Sequence, residues 1–176
     1  MRSFPEKSKT FGLLTVIVFI TLYLAGCGKT KVETANPEPE IKPYEGFLAP
    51  DFELPDLSGR KVRLSNFRGK TVVLNFWSLN CSYCLAEMPD FEEFNATKPE
   101  NVAILMINLD RDAGRVATYI KNKGYTFTVL KDDSAQTVRS YLIRGVPTTV
   151  VAGGDGVIKA RIEGQVTKQI LDSLVN

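Results

Sequence analysis

Residues 71–89 read TVVLNFWSLNCSYCLAEMP, and they carry most of the information about the fold. Residues 71–77 form an almost continuous apolar run, which is typical of a strand covered on both faces. A helix is expected to begin near Cys81 and to end at about Asn95. The pattern therefore places two cysteines, Cys81 and Cys84, where a buried strand ends and a helix begins.

Strands and helices alternate on both sides of this stretch. Ahead of it, residues 52–64 alternate apolar and polar side chains around an Asp-Leu-Ser-Gly turn, which predicts an edge hairpin. The later predicted elements are a strand over 102–109, a helix capped by Asp112 and ending at Lys123, a strand over 127–130, a helix capped by Ser134, strands over 148–152 and 157–162, and a last helix with Val166, Ile170 and Leu174 inward. This order predicts an α/β domain with a mixed central sheet and helices on both faces.

The spacing of the two cysteines predicts redox chemistry. Three residues apart on a helix, Cys81 and Cys84 lie on one face about 5–6 Å apart, a separation that a disulfide can close. The first turn of a helix offers unpaired N–H groups and a partial positive charge, so the pKa of Cys81 is expected to be lowered. Cys81 is therefore the candidate nucleophile and Cys84 the resolving thiol.

Three other interpretations of the pair are weaker. Half of a zinc site is disfavoured, because four ligands are usual and the folded part offers no other cysteine or histidine. A structural disulfide is disfavoured because a four-residue loop constrains the unfolded chain little. Two unrelated core thiols are the third alternative. We therefore predict no metal, and no cofactor other than the redox-active Cys81–Cys84 disulfide.

Composition excludes several classes of function. Histidine is absent from the 176 residues, so neither a Ser-His-Asp nor a Cys-His site can be built from this chain alone. The chain has 22 basic and 20 acidic side chains, and residues 1–26 hold three of the former and one of the latter, so the remainder is electrically neutral. A neutral domain gives no electrostatic reason to expect a nucleic-acid partner.

The amino terminus has the layout of a secretory signal: a basic start, an apolar run over 11–25, and small residues before Cys27. The apolar run is shorter than the ~20 residues that span a bilayer comfortably. The sequence Leu-Ala-Gly-Cys at 24–27 resembles a bacterial lipoprotein signal, which implies that Cys27 is acylated and becomes the first mature residue. The alternative is an uncleaved anchor. Both would tether the domain outside the cytoplasmic membrane or, in a two-membrane cell, to the outer membrane.

Three regions follow from these signals. Residues 1–26 are the predicted signal segment, residues 27–48 the lipidated amino terminus and flexible linker, and residues 49–176 the folded domain. The linker prediction rests on the polar, proline-rich composition of residues 28–50, which cannot bury much apolar surface.

Several motifs together resemble the TlpA/ResA-like branch of the thioredoxin superfamily, whose domains are AhpC/TSA-redoxin-like. The resemblance covers residues 49–176, and it implies a thioredoxin fold with an amino-terminal β-hairpin and an inserted β–α element. The residues that carry it are Ala49-Pro50-Asp51-Phe52, Leu74-Asn75-Phe76-Trp77, Cys81-Ser82-Tyr83-Cys84, Glu87, Pro89 and Gly145-Val146-Pro147-Thr148.

The resemblance implies how a substrate is bound. Pro147 matches a cis proline that faces the cysteine pair in this family, and Val146 before it would make strand-like contacts with a substrate peptide. Trp77 and Tyr83 are the other predicted substrate-binding residues. The alternative for Pro147 is a trans proline that starts a strand. Tyr83 and Asn80 depart from the proline and tryptophan usual beside the two cysteines, and these changes alter the surroundings of both sulfurs on which the reduction potential depends.

Glu87 is the third predicted catalytic residue. Asn75 stands where cytoplasmic thioredoxins have a buried aspartate, and an asparagine cannot take a proton. Glu87 lies one helical turn after Cys84, and the resembled branch carries a glutamate here. Glu87 is therefore expected to be a partly buried acid/base with a raised pKa. The alternative is a solvated helix residue.

The predicted function is a membrane-tethered, extracytoplasmic thiol–disulfide oxidoreductase that reduces protein disulfides. The resemblance implies apocytochrome c as substrate, as in cytochrome c maturation, and a membrane electron donor of the CcdA/DsbD kind. A related reductant acting in spore formation and a general extracytoplasmic reductase are alternatives.

Another class of function is a peroxiredoxin-like thiol peroxidase, because residues 49–77 also resemble the start of peroxiredoxins. Those carry a threonine where Ser78 stands here. A non-enzymatic binding lipoprotein on a redox scaffold is the last alternative.

Overall fold

The computed structural model describes residues 39–175. Cys27, the predicted signal segment and most of the predicted linker lie outside the described residues. Within 39–175, none of the helices combines the length and the apolar character that crossing a membrane requires. The elements are β1 (Glu53–Pro55), β2 (Lys61–Arg63), a 3-10 turn (Leu64–Phe67), β3 (Thr71–Trp77), α1 (Ser82–Thr97), β4 (Val102–Asn108), α2 (Ala113–Lys123), β5 (Thr128–Lys131), α3 (Gln136–Ser140), β6 (Thr148–Ala152), β7 (Ile158–Glu163) and α4 (Lys168–Val175).

Five strands form a mixed sheet in the order β5-β4-β3-β6-β7. Strands β3, β4 and β5 are parallel, while β6 and β7 run antiparallel to their neighbours. The predicted hairpin is present as the antiparallel pair β1–β2, which forms its own two-stranded sheet and is joined to the edge strand β5 by a bridge between Asp56 and Leu130. In the register of β3 and β4, Trp77 lies opposite Asn108, so the loops that follow these two strands leave the sheet side by side.

The longer helices α1, α2 and α4 cover one face of the sheet. Alternate residues of β3 point to this face, and Val73 and Trp77 belong to its apolar cluster. The helices contribute fully buried side chains such as Phe91, Val116 and Leu171. Asn75 lies between Val73 and Trp77 on β3, so a buried polar side chain is placed beneath the helix that carries the cysteines.

The opposite face is covered by the hairpin and by Tyr141, which caps the short α3. Leu74 and Phe76 of β3 point to this side, where Phe76 and Tyr141 have ring centroids 5.4 Å apart. The Tyr141 hydroxyl donates a hydrogen bond of 2.7 Å to the Pro50 carbonyl, which fixes the chain just ahead of β1. The predicted mixed sheet is therefore confirmed, with three helices on one face and the short α3 together with the hairpin on the other.

Two details of the helices differ from the predictions. Ser134 does not cap α3: the Asp132 carboxylate accepts hydrogen bonds from the N–H groups of Gln136 and Thr137 instead. A carboxylate can serve several orphan N–H groups at once, which a hydroxyl cannot do as well. In the last helix Leu171 is buried, whereas Ile170, which was predicted to point inward, is 37% exposed. The prediction assumed one helical spacing from Val166 onward, but α4 begins only at Lys168, so Val166 lies in the preceding loop.

Residues 41–48 lie along the free edge of β7. The Gly46 N–H donates to the Ile158 carbonyl, and the Ile158 N–H donates to the Phe47 carbonyl. Leu48 forms a further antiparallel bridge with Val157. The carboxyl-terminal part of the segment predicted as a linker thus covers an edge that would otherwise present unpaired backbone groups.

Candidate active site

The two cysteines occupy the start of α1. Cys81 is the N-cap of the helix, it forms a disulfide with Cys84, and their Cα atoms are 5.2 Å apart, within the range predicted from the spacing. Cys81 is partly exposed, whereas Cys84 is completely buried. Only the first of the two sulfurs is therefore accessible to a large partner.

The surroundings of Cys81 favour a negative charge on its sulfur. The Cys84 N–H points at the Cys81 Sγ at 3.1 Å, so one orphan donor of the helix is directed to this atom. The first turn of α1 contains no acidic side chain that would offset the positive end of the helix dipole. These two features support the predicted lowering of the Cys81 pKa in the reduced protein.

A cis peptide bond joins Val146 to Pro147, as the resemblance implied, and the trans alternative is wrong. The Val146 carbonyl oxygen lies 3.5 Å from the Cys81 Sγ. Val146 is partly exposed, while Pro147 is buried and leads into β6. The loop before β6 thus places open backbone directly beside the accessible sulfur.

Glu87 is buried, with 1% of its surface exposed, so the alternative of a solvated helix residue is wrong. Its Oε1 accepts a hydrogen bond of 2.9 Å from Asn75 Nδ2, and its Oε2 accepts one of 3.0 Å from the Val166 N–H. Burial raises the pKa of Glu87 to about 7 and nearby Asp90 adds to this, although the two hydrogen bonds work in the opposite direction. Glu87 can therefore gain or lose a proton near neutral pH.

This raised pKa predicts a pH-dependent stability. The ordinary pKa of the group is 4.5, so above that pH the folded protein retains a proton that the unfolded chain has lost. The protonated Glu87 contributes its full stabilisation of the folded protein below pH 4.5, and this contribution is lost as pH rises through about 7. Between pH 5 and 8 the oxidised wild type is expected to lose about 2–3 kcal/mol of unfolding free energy relative to Glu87→Gln.

Guanidinium titrations of both oxidised proteins at several pH values measure this difference. Groups that titrate in both proteins cancel in the comparison, and Glu93→Gln, on the exposed side of the same helix, serves as the matched control. Parallel stability curves for wild type and Glu87→Gln would contradict the shifted pKa.

Asp110 is a site residue that the sequence analysis missed. Its carboxylate accepts hydrogen bonds from the Leu79 N–H at 2.7 Å and from the Ser78 hydroxyl at 3.0 Å, so it holds the loop that leads into Cys81. The signal that could have revealed it is its position after β4, since adjacent parallel strands end at the same edge of a sheet. The Ser78 hydroxyl, which stands at the peroxiredoxin threonine position, is thereby engaged within the loop.

The structure corrects the prediction for Trp77. Its side chain has no exposed surface and lies beneath α1, with its ring centroid 6.4 Å from that of Tyr119. A side chain without accessible surface cannot contact a substrate, so Trp77 is a core residue. Among the described residues its indole N–H has no hydrogen-bond partner.

Tyr83 lies at the mouth of a groove beside the cysteines and is 66% exposed. The groove has a volume of about 330 Å³, and Val146 and Pro147 also line it. Its far wall is the loop after β7, where Gln165 Nε2 donates to the Tyr83 carbonyl at 3.1 Å and the Gly164 N–H donates to the Pro147 carbonyl at 2.9 Å. Sequence reasoning missed Gly164 and Gln165. The groove has the apolar lining that a side chain of a bound peptide requires.

The geometry brings together Cys81, Cys84, Val146 and Pro147, with Glu87 beneath them and Tyr83 at the rim. Within residues 39–175, no group of three histidine, cysteine, aspartate or glutamate side chains is arranged to hold a metal ion. A dithiol pair, a buried group that exchanges a proton and an adjacent peptide-sized groove form an arrangement that can exchange disulfides with a polypeptide.

Comparisons with known proteins agree with this arrangement. Residues 46–161 match the AhpC/TSA family. The thiol-disulfide oxidoreductase ResA of Geobacillus thermodenitrificans is 37% identical over 165 residues, which cover 93% of each chain.

Two solved structures show the same thioredoxin fold. One is a Chlorobium tepidum protein assigned as a thiol:disulfide interchange protein DsbE. It has a TM-score of 0.68 and 29% identity, over 75% of this chain and 95% of the other. The second is the exposed lipoprotein thioredoxin Etrx1 of Streptococcus pneumoniae, with a TM-score of 0.65 and 29% identity, over 71% and 98% of the two chains.

Proposed function

Because this chain belongs to the AhpC/TSA family and, within it, to the ResA-type thiol–disulfide oxidoreductases, we propose that it reduces protein disulfides on the outer side of the cytoplasmic membrane. The observation that carries the proposal is the Cys81–Cys84 pair at the start of α1, with the Val146 carbonyl 3.5 Å from the accessible sulfur.

The proposed reaction is a pair of thiol–disulfide exchanges. The Cys81 thiolate attacks one sulfur of the substrate disulfide, which releases the other sulfur as a thiolate and forms a mixed disulfide. Cys84 loses its proton to Glu87 and attacks the Cys81 sulfur, which releases the substrate's second thiolate. The substrate gains two electrons and the protein is left with the Cys81–Cys84 disulfide.

We propose apocytochrome c as the substrate, with its Cys-x-x-Cys-His segment reduced before haem attachment, and a membrane thiol transporter of the CcdA/DsbD kind as the electron donor. The resemblance of the sequence motifs to the TlpA/ResA-like branch supports this choice, and the relation to ResA and to a DsbE-type protein supports disulfide exchange as the reaction. We also propose that acylated Cys27 tethers the domain, which is supported by the Leu-Ala-Gly-Cys sequence and by the likeness to an exposed lipoprotein.

A direct assay tests the function. Purified protein, reduced with dithiothreitol and freed from it, is mixed with a disulfide-bonded peptide that contains a Cys-x-x-Cys-His segment. We expect one peptide disulfide to be reduced for each reduced protein molecule, as counted by free thiols on the peptide. Hydrogen peroxide is the control oxidant. A protein that consumed peroxide and left the peptide oxidised would be a peroxidase, and the proposal would fail.

A further inference from the structure

A second cavity adjoins the groove beside the cysteines. It has a volume of about 140 Å³, and the side chains that line it are Tyr44, Leu142, Arg144, Arg161 and Glu163. Glu163 lines the groove as well, and Arg144 in the cavity is the chain neighbour of Gly145 in the groove. The two depressions therefore share Glu163 and adjoin at residues 144 and 145, next to Val146, whose carbonyl lies 3.5 Å from the Cys81 Sγ.

Exposed apolar side chains concentrate along this path. Of the five large hydrophobic side chains that are exposed in residues 39–175, Tyr83, Tyr44 and Leu142 line one or other depression, with exposures of 66%, 49% and 47%. Leu142 has a φ of 50°, a left-handed conformation that is rare for a leucine. Clustered exposed apolar side chains beside a reactive group are typical of an interaction surface.

The lining of the second cavity includes two arginines and one glutamate. Arg161 donates to the Tyr141 carbonyl at 2.9 Å and to Glu163 Oε1 at 3.3 Å, so the arginine and the carboxylate neutralise one another. Arg144 is exposed, and within the described part of the chain it forms no ion pair, unlike Arg161, which pairs with Glu163. A second carboxylate lies nearby, since Glu45 Oε1 accepts a hydrogen bond of 3.0 Å from the Arg161 backbone N–H. Arg144 is thus the arginine of the cavity that has no ion pair among the described residues, and an acidic side chain of a partner would be complementary to it.

Building on the proposed function, we infer that the second cavity is a subsite for the disulfide substrate, in which Arg144 selects an acidic side chain about two residues from the attacked cysteine. The Val146 carbonyl lies 3.5 Å from the Cys81 Sγ, and Arg144 precedes Val146 by two residues, which span at most about 7 Å and bend at Gly145 and Val146. A substrate segment in an extended conformation presents alternate side chains to the same surface. Its cysteine meets Cys81, and the side chain two positions away meets Arg144.

A set of three peptides tests the subsite. Each is a symmetric disulfide dimer of a blocked pentapeptide with one central cysteine between two leucines, and the outer residues are both glutamate, both glutamine or both lysine. The pre-reduced wild type is expected to reduce the glutamate peptide about fivefold faster than the lysine peptide in kcat/KM at low salt, with glutamine between them. The difference is expected to shrink at high salt, because the contact is exposed.

Charge reversal at Arg144 supplies the decisive comparison. Arg144→Glu is expected to invert the order of the three peptides, and Arg144→Gln to abolish the preference. Arg139→Glu changes the same charge on α3, outside the two depressions, and is expected to keep the wild-type order. Equal rates for the three peptides, or a preference that survives Arg144→Glu, would overturn the subsite and leave the proposed function standing. If the wild type reduced none of the three peptides, both the subsite and the proposed function would be wrong.

Discussion

Replacing Cys81 with serine is expected to slow disulfide reduction by at least ~10³-fold. The attacking species is a thiolate, and a serine hydroxyl does not ionise near neutral pH. Cys84 cannot take over the first attack, because it is completely buried beneath the first turn of α1. The rate at which the pre-reduced protein reduces a neutral disulfide such as bis(2-hydroxyethyl) disulfide measures the effect.

Two further variants separate the roles of the cysteines. Cys84→Ala retains the exposed nucleophile and is expected to accumulate a mixed disulfide with the substrate, visible as a mass increase that dithiothreitol removes. Expressed in the native host, the same variant would capture the physiological substrate. Cys27→Ser lies outside the redox pair and is the matched control, expected to keep the wild-type rate. A Cys81→Ser protein that formed the mixed disulfide through Cys84 would reverse the assigned roles.

The centre of the site could be predicted because its information is local. A buried apolar run followed by Cys-x-x-Cys determines the end of β3, the start of α1 and the separation of the two sulfurs, all within residues 71–89. The mixed sheet was likewise predictable, because its strands and helices have clear apolar periodicity and turn residues between them.

The parts that could not be predicted depend on contacts between distant segments. The hydrogen bond from the Val166 N–H to Glu87 joins residues 79 positions apart, and no pattern along the chain indicates it. Trp77 is predicted to bind substrate, yet the alternation along β3 turns its side chain into the core beneath α1. Residues 41–48 belong to the longer segment 28–50, whose polar and proline-rich composition predicted a linker, and backbone pairing with β7 orders this part of it.

The largest effect outside the cysteines is expected at Glu87. General-base catalysis by a positioned carboxylate contributes about 10²–10⁴-fold, so Glu87→Gln is expected to slow the attack of Cys84 on the mixed disulfide by ~10²-fold. Wild-type rates should rise with pH through about 7, the pH at which Glu87 becomes able to accept a proton, and then level off. In the variant this rise should be absent, leaving only the increase at higher pH from the ionisation of Cys84 itself.

A glutamine at position 87 can keep the hydrogen bonds of the buried glutamate, so the variant is expected to remove the titrating group without disturbing its surroundings. Both partners donate to Glu87, so the new NH₂ group would face a donor unless Asn75 turned its amide. Within residues 39–175 the Asn75 Oδ1 has no hydrogen-bond partner, and the turned amide would direct this oxygen at the glutamine.

The attack of Cys84 can be followed separately from the first exchange. A chromogenic aryl thiol is first linked to Cys81 as a mixed disulfide, and its release reports the second exchange alone. Glu93→Gln, on the exposed side of the same helix, should match the wild type at every pH. Equal release rates and equal pH profiles for wild type and Glu87→Gln would remove Glu87 from the reaction, and its burial would then be only structural.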